Sequence, residues 1–280
     1  MNAEWIEKLN NAKLIVIKVG SARVSGPRES VNDFLFHLAG DIRELRNKGK
    51  KVILVSSGAI AQGKTVYSQS FGKEIDQKST LSDKQALAAM GQNQLMNLYE
   101  SFFSKVNIPI AQILFGRGDI QKDGSHKNLE STFRKLLDWN VLPIVNENDS
   151  ISTEELNLGD NDLLSALVAT LLDADLLMIL TGVNGFLKNG ELIEYLPNVA
   201  AEEFQHATGP SGPGTGGMNT KLKAGSLLLH FGIHTAILNG NEQNCITKFL
   251  NGDLRGTLIG NPDLFSKQIK EENWIERFYQ

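Results

Sequence analysis

Cysteine is nearly absent from this chain: Cys245 is the only one. A disulfide within the chain is excluded, and so is a cysteine-rich metal site. Long apolar runs are missing as well. No uncharged hydrophobic stretch approaches the ~20 residues that span a bilayer. Residues 1–11 carry Glu4 and Glu7 and lack the apolar core of a secretion signal. A reducing, cytoplasmic setting is therefore expected. Positive charge is not in excess either: 28 Lys and Arg stand against 32 Asp and Glu, a formal net charge of −4. That balance gives no electrostatic footprint for nucleic acid. His230 and His234 are four apart, but Gly232 lies between them and no thiolate or third ligand is evident. They read as ordinary surface or helix-end residues, and no metal-ligating residues are expected.

What is present is an alternation of short apolar runs with longer amphipathic stretches. Residues 14–19, 52–55, 110–115, 141–145, 176–180 and 235–238 read as buried strands, each short and bounded by polar residues or Gly. Residues 32–48, 84–103, 127–139, 163–172 and 221–230 place their apolar side chains at helical spacing. The length suits one large α/β domain or two modest ones. Strand–helix alternation predicts an α/β fold, a three-layer α/β/α sandwich around a mainly parallel sheet.

Ligands of open parallel sheets bind beyond the carboxyl ends of the strands, so those ends carry the functional reading. The first strand holds Lys18, costly to bury without a partner, followed by Gly20. It is either a lysine snorkelling from an edge position or a phosphate ligand. The second strand runs into Ser56-Ser57-Gly58-Ala59-Ile60, small residues that leave helix N-terminal amides approachable. The fourth ends in Asn146-Glu147-Asn148-Asp149, a solvated turn or a holder of a small polar substrate. Gly159-Asp160-Asn161-Asp162 opens a helix with more carboxylates than capping requires. Gly214-Thr215-Gly216-Gly217-Met218-Asn219-Thr220-Lys221 offers backbone amides as an anion cradle, with a lysine beside them.

Residues 58–65 also match the P-loop pattern G-x-x-x-x-G-K-[ST]. A true P-loop needs a helix beginning near Lys64. The stretch 66–72 is β-branched, serine-rich and closed by Gly, which is poor helix material, while the good helix formers lie inside the supposed loop. The match reads as coincidence.

Together these strand-end blocks, with Lys84-Gln85-Ala86-Leu87-Ala88-Ala89-Met90-Gly91-Gln92, resemble the amino-acid kinase superfamily. Within it they are similar to the branch that phosphorylates the side-chain carboxylate of glutamate at the start of proline synthesis. The likeness spans residues 13–260 in the expected order. It implies ATP with Mg²⁺ as phosphoryl donor and L-glutamate as acceptor. By the same resemblance Lys18 and Lys221 contact the phosphates, and Asp162 aligns the two ammoniums. Ser57, Asp149 and Asn161 hold glutamate, with backbone contacts from Gly58 and Ala59. Lys18, Gly20, Thr181, Gly182, Thr215, Gly216, Gly217, Met218, Asn219, Thr220 and Lys221 bind the nucleotide. It further implies a homo-oligomer, dimer or tetramer, and handover of the product to a glutamyl phosphate reductase. The chemistry agrees: a glutamate carboxylate, of reference pKa ~4.3, is already an ionised nucleophile at neutral pH, so no general base is required.

Two departures stand out. The family commonly has Thr-Asp after the fifth strand, where this chain has Thr181-Gly182. Many members also carry a C-terminal RNA-binding-like domain, whereas residues 1–260 are read here as the kinase domain and 261–280 as a tail too short to be that domain. Two other readings stay open: a sister kinase with a different small acceptor, and a nucleotide or amino-acid sensor without catalysis.

Overall fold

The computed structural model describes residues 3–75, 79–121, 124–151, 161–207, 217–260 and 274–279. Its centre is β1 (Leu14–Val19), a run of apolar residues broken only by Lys18. Helices α1 (Ala3–Asn10), α2 (Ser21–Val24) and α3 (Arg28–Asn47) flank it in sequence. Then come β2 (Lys51–Ser56), α4 (Ala59–Phe71), α5 (Leu81–Phe103), β3 (Ile110–Leu114), α6 (Arg117–Gln121), α7 (Ser125–Asp138) and β4 (Leu142–Asn146). The second half contains α8 (Asn161–Leu171), β5 (Leu176–Thr181), the hairpin β6 (Leu187–Lys188) and β7 (Glu191–Leu192), β8 (Tyr195–Leu196) and α9 (Ala201–His206). It closes with α10 (Met218–Leu229), β9 (His234–Asn239), α11 (Cys245–Asn251), β10 (Thr257–Ile259) and α12 (Trp274–Tyr279).

Eight strands form one sheet in the order β3-β4-β2-β1-β5-β9-β10-β8. β1 to β5 and β9 pair in parallel, and β10 runs antiparallel to β9. Because successive strand residues face opposite sides, the sheet feeds two cores. Ile15, Ile17, Val52 and Leu54 pack toward α1, α3, α5 and α11. Val16, Ile53 and Val55 pack toward α7, α8, α10 and α12. This is the expected three-layer α/β/α sandwich. The chain turns to β2 on one side of β1 and later to β5 on the other, so β1 lies at a topological switch point where a crevice opens beyond the strand ends.

The helices run longer than their apolar spacing indicates, for local reasons. α5 starts at Leu81 because Thr80 and Asp83 form a reciprocal capping box. α4 corrects the sequence reading outright: residues 66–71 are helical in spite of their composition. Tertiary packing overrides propensity there. A Cβ on Gly63 would stand 1.9 Å from the Leu87 carbonyl oxygen, and one on Gly91 would stand 1.9 Å from that of Ala59. The α4 and α5 backbones therefore touch, and only glycine fits at the crossing. The same helix disposes of the P-loop pattern, since its supposed loop is the first turns of α4 and Lys64 is exposed in mid-helix.

The end of the tail packs on the body of the protein. Residues 261–273 lie outside the described residues, but Trp274 and Phe278 of α12 are buried in the core beside α8 and α10. His234 is not a surface residue either. It begins β9 fully buried, edge-on to Trp5 at 5.4 Å, and burial, aided by the charge of Lys8, pushes its pKa down to about 4. His230 is exposed at the end of α10, as expected. No helix among the described residues is long and apolar enough to cross a membrane.

Gly91→Ala is expected to force α4 and α5 apart and to lower the unfolding free energy by at least about 3 kcal/mol. Urea denaturation of the two proteins measures this.

Candidate active site

β1 delivers Lys18 to the centre of the molecule. Its backbone is paired on both sides, to Val55 and to Ile179, and its side chain shares the face of Val16, toward α8 and α10. The partner its burial demands is the second residue of α8: Lys18 Nζ lies 2.6 Å from Asp162 Oδ1. Lys221, in the first turn of α10, reaches the other oxygen, with Nζ 3.0 Å from Asp162 Oδ2. All three side chains are buried, Asp162 completely. Burial alone would raise the Asp162 pKa, but the two ammoniums outweigh it and hold the carboxyl well below the ordinary carboxylate range. One carboxylate between two lysines leaves a formal charge of +1 in a water-poor site. That is an arrangement for an anion.

Around this cluster the structure gathers most of the expected residues. Gly20 lies two residues after Lys18, just past the end of β1, and a Cβ there would come within 4.0 Å of the ammonium. Gly217 is the N-cap of α10, and its carbonyl lies 3.3 Å from Lys221 Nζ. Thr220 turns its hydroxyl to Asp162 Oδ2, at 2.9 Å, and to the Gly217 carbonyl, at 2.8 Å. Asn219 keeps a buried amide oxygen with no partner among the described residues, and Met218 packs on the apolar cluster beside it. Thr215 and Gly216 lie outside the described residues, as do Gly159 and Asp160.

A second group forms where β2 and β4 end, next to β1. Asn161, the first residue of α8, donates to Ser57 Oγ at 2.6 Å, to Asn146 Oδ1 at 3.2 Å and toward the Ser56 carbonyl at 3.3 Å. Its own amide oxygen is buried without a partner among the described residues. Gly58 has φ of 115° and a Cβ there would strike Val24 at 2.5 Å, so this N-cap of α4 must be glycine. Ala59 is buried behind it. Asp149 sits half-buried on the loop that leaves β4, where burial raises its pKa to about 6.

Thr181 ends β5, the neighbour of β1, and Gly182 follows it. A Cβ on Gly182 would meet nothing within 4 Å, so the position is open and merely lacks a side chain. Amides stand nearby in place of a carboxylate: Asn239 bonds Asn184 at 2.7 Å, and Asn241 reaches Asn239 Oδ1 at 2.9 Å and the Gly182 carbonyl at 3.5 Å. These asparagines were missed in the sequence, where an Asn in a loop signals only a turn. Asn146, Gln92 and Tyr99 were also missed as individual residues. The signal for Asn146 was its place at a strand end, while Gln92 lay in a block whose role was unread.

Asp162→Asn would leave two buried ammoniums facing a neutral amide, and a loss of about 3–5 kcal/mol is expected. Because the folded pKa is depressed, the carboxylate's contribution is complete above about pH 4 and fades as pH falls toward the folded value. Urea titrations of both proteins between pH 7 and pH 3 should show a gap that is full at neutral pH and narrows in acid.

Known proteins bear on this arrangement. The fold is similar to that of the carbamate kinase of Giardia, with a TM-score of 0.64 and 20% identity over 90% of this chain and 99% of that one. The glutamate 5-kinase of Clostridium acetobutylicum is 40% identical over 263 residues, which cover 90% of this chain and 96% of the relative. That of Enterococcus faecalis is 39% identical over 265 residues, with 90% and 96% covered. Residues 13–239, which hold every described member of both groups, match the amino acid kinase family, and the chain belongs to that family.

Proposed function

We propose that the chain transfers the γ-phosphoryl group of ATP to the side-chain carboxylate of L-glutamate, giving ADP and L-glutamyl 5-phosphate, the first step of proline biosynthesis. The observation that carries this reading is the buried Lys18–Asp162–Lys221 cluster beside the Ser57–Asn161 pair, in a chain 40% identical to a glutamate 5-kinase. A carboxylate oxygen of glutamate attacks the γ-phosphorus, and the bond from that phosphorus to the β-bridging oxygen breaks. No proton moves, and no base is needed. Charge gathers on the phosphoryl oxygens and the departing ADP, and two fixed ammoniums oppose it. Asp162 takes no part in bond making; it holds the ammoniums apart and in place. Mg²⁺ enters with ATP as part of the substrate, bound by phosphate oxygens. Among the described residues no three His, Cys, Asp or Glu side chains converge as a metal-binding group.

Glutamate is held by groups whose polarity suits an amino acid. The orphaned amide oxygen of Asn161 and the carboxylate of Asp149 accept from its ammonium, and Ser57 with the amides at the start of α4 meets its carboxylates. Gly20, Thr181, Gly182 and residues 215–221 receive the nucleotide, with Asn239 and Asn241 near the place a family aspartate usually occupies. The homo-oligomeric state, the cytoplasmic location and handover of the labile acyl phosphate to a reductase belong to the same proposal.

ADP release should depend on L-glutamate and Mg²⁺, and Lys18→Ala and Lys221→Ala should each abolish most of it, by about 10²-fold or more in kcat. A panel of acceptors decides the substrate: glutamate must give by far the largest kcat/KM, and a larger value for carbamate or another acid overturns the assignment. Asp149 adds a pH signature. Its free-state pKa near 6 means that protonation below that pH removes the ammonium's counter-charge. Accordingly kcat/KM for glutamate should fall on acidification through about pH 6, and Asp149→Asn should be low throughout and lose that inflection.

A further inference from the structure

α5 lies outside the catalytic crevice, yet it reaches the ends of β2 and β4 through two polar side chains seven residues apart on one face. Gln92 Oε1 accepts from Asn146 Nδ2 at 2.9 Å. Tyr99, fully buried, places its hydroxyl 2.8 Å from Ser56 Oγ. Ser56 Oγ in turn donates to the carbonyl of Ser57 at 2.8 Å. A serine hydroxyl has one proton. Since that proton goes to the Ser57 carbonyl, Tyr99 must be the donor to Ser56, and the relay has a direction: Tyr99 O–H to Ser56 Oγ, Ser56 O–H to Ser57 C=O.

That direction fixes a peptide plane. Ser56 continues the alternation of Val52 and Leu54, so it faces the α3–α5 side, and its hydroxyl draws the Ser57 carbonyl that way. No peptide bond among the described residues is cis, and in a trans peptide the N–H points opposite to the C=O. The Gly58 N–H is thereby turned toward the other face, the one that carries Lys18, Asp162 and Lys221. The remaining groups of this corner are committed. The Ser57 N–H donates to the Val19 carbonyl at 3.0 Å, and the Ser56 carbonyl faces Asn161 at 3.3 Å. Among the described residues, the Gly58 N–H is the donor of this strand end left for a ligand.

We infer that Tyr99 is a positioning residue for phosphoryl transfer: acting through Ser56, it aims the Gly58 N–H at the anionic group held between acceptor and lysines. A core tyrosine that merely satisfies its hydroxyl would leave kinetics alone once folding is accounted for; a positioning tyrosine would not. The inference rests on the kinase reading given above.

Steady-state ADP release with L-glutamate and Mg-ATP, corrected for the folded fraction at the assay temperature, tests it. Tyr99→Phe removes one oxygen and keeps the ring. It is expected to lower kcat about tenfold while KM for ATP stays within about twofold. Ser56→Ala breaks the same relay and should cost as much, and the double variant should cost no more than either single. A Tyr99→Phe kcat within about twofold of wild type, or losses that multiply in the double variant, would overturn the inference alone. Absence of glutamate-dependent turnover in the wild-type protein would overturn the kinase reading, and the inference with it.

Discussion

Two lysines share one buried carboxylate at the centre of this molecule, and much of the architecture follows from that arrangement. Lys18 is placed in mid-sheet where little water reaches it, so a carboxylate has to be brought to it. α8 brings Asp162. A single pair would have been neutral. Lys221 makes the cluster cationic, and in a site of low dielectric that residual charge attracts polyphosphate far more strongly than a surface lysine would. The depressed Asp162 pKa records the same balance from the other side, because its charged form is retained at full burial only through the two ammoniums.

The support for this centre comes from glycine as much as from charge. Gly63 and Gly91 let α4 and α5 meet backbone to backbone, which sets α5 close enough for Gln92 and Tyr99 to reach the ends of β4 and β2. Gly58 permits the left-handed turn by which β2 enters α4. Asn161 then ties Ser57, Ser56 and Asn146 together. The lysine–aspartate cluster and the polar group at the ends of β2 and β4 are thus joined through consecutive residues of α8, Asn161 and Asp162, so any shift of that helix moves both.

Much of the site was legible because parallel sheets put their chemistry at strand ends, and those ends are marked in sequence by a change from apolar to small or polar residues. Ser57 and Gly58 carry that mark; Lys18 stands out as a charge within an apolar strand, and Asn161, Asp162 and Lys221 as polar residues in the first turns of helices. Residues that reach the crevice from other elements do not. Tyr99 looks like any apolar residue of an amphipathic helix, and Asn239 and Asn241 look like turn formers. Thr220 was grouped with its neighbours on local sequence alone, and its bond to Asp162 was not legible there, because only the placing of α10 against α8 brings the two together. His234 was misjudged for a related reason: whether a residue at a strand's first position is covered depends on α1, whose Trp5 lies over it.

By itself, then, the sequence determined the α/β class, the order of six of the strands and five of the helices, and the strand ends where polar residues collect, because those depend on local periodicity and on residue type. Only tertiary structure decided which of those ends meet. It set Asp162 between lysines on two different elements, kept residues 66–71 helical against their propensity, and turned a tyrosine of α5 toward the back of the crevice. Such choices depend on packing between segments far apart in the chain, where the cost of an unpaired charge or a clashing Cβ outweighs the small preferences that neighbouring residues express.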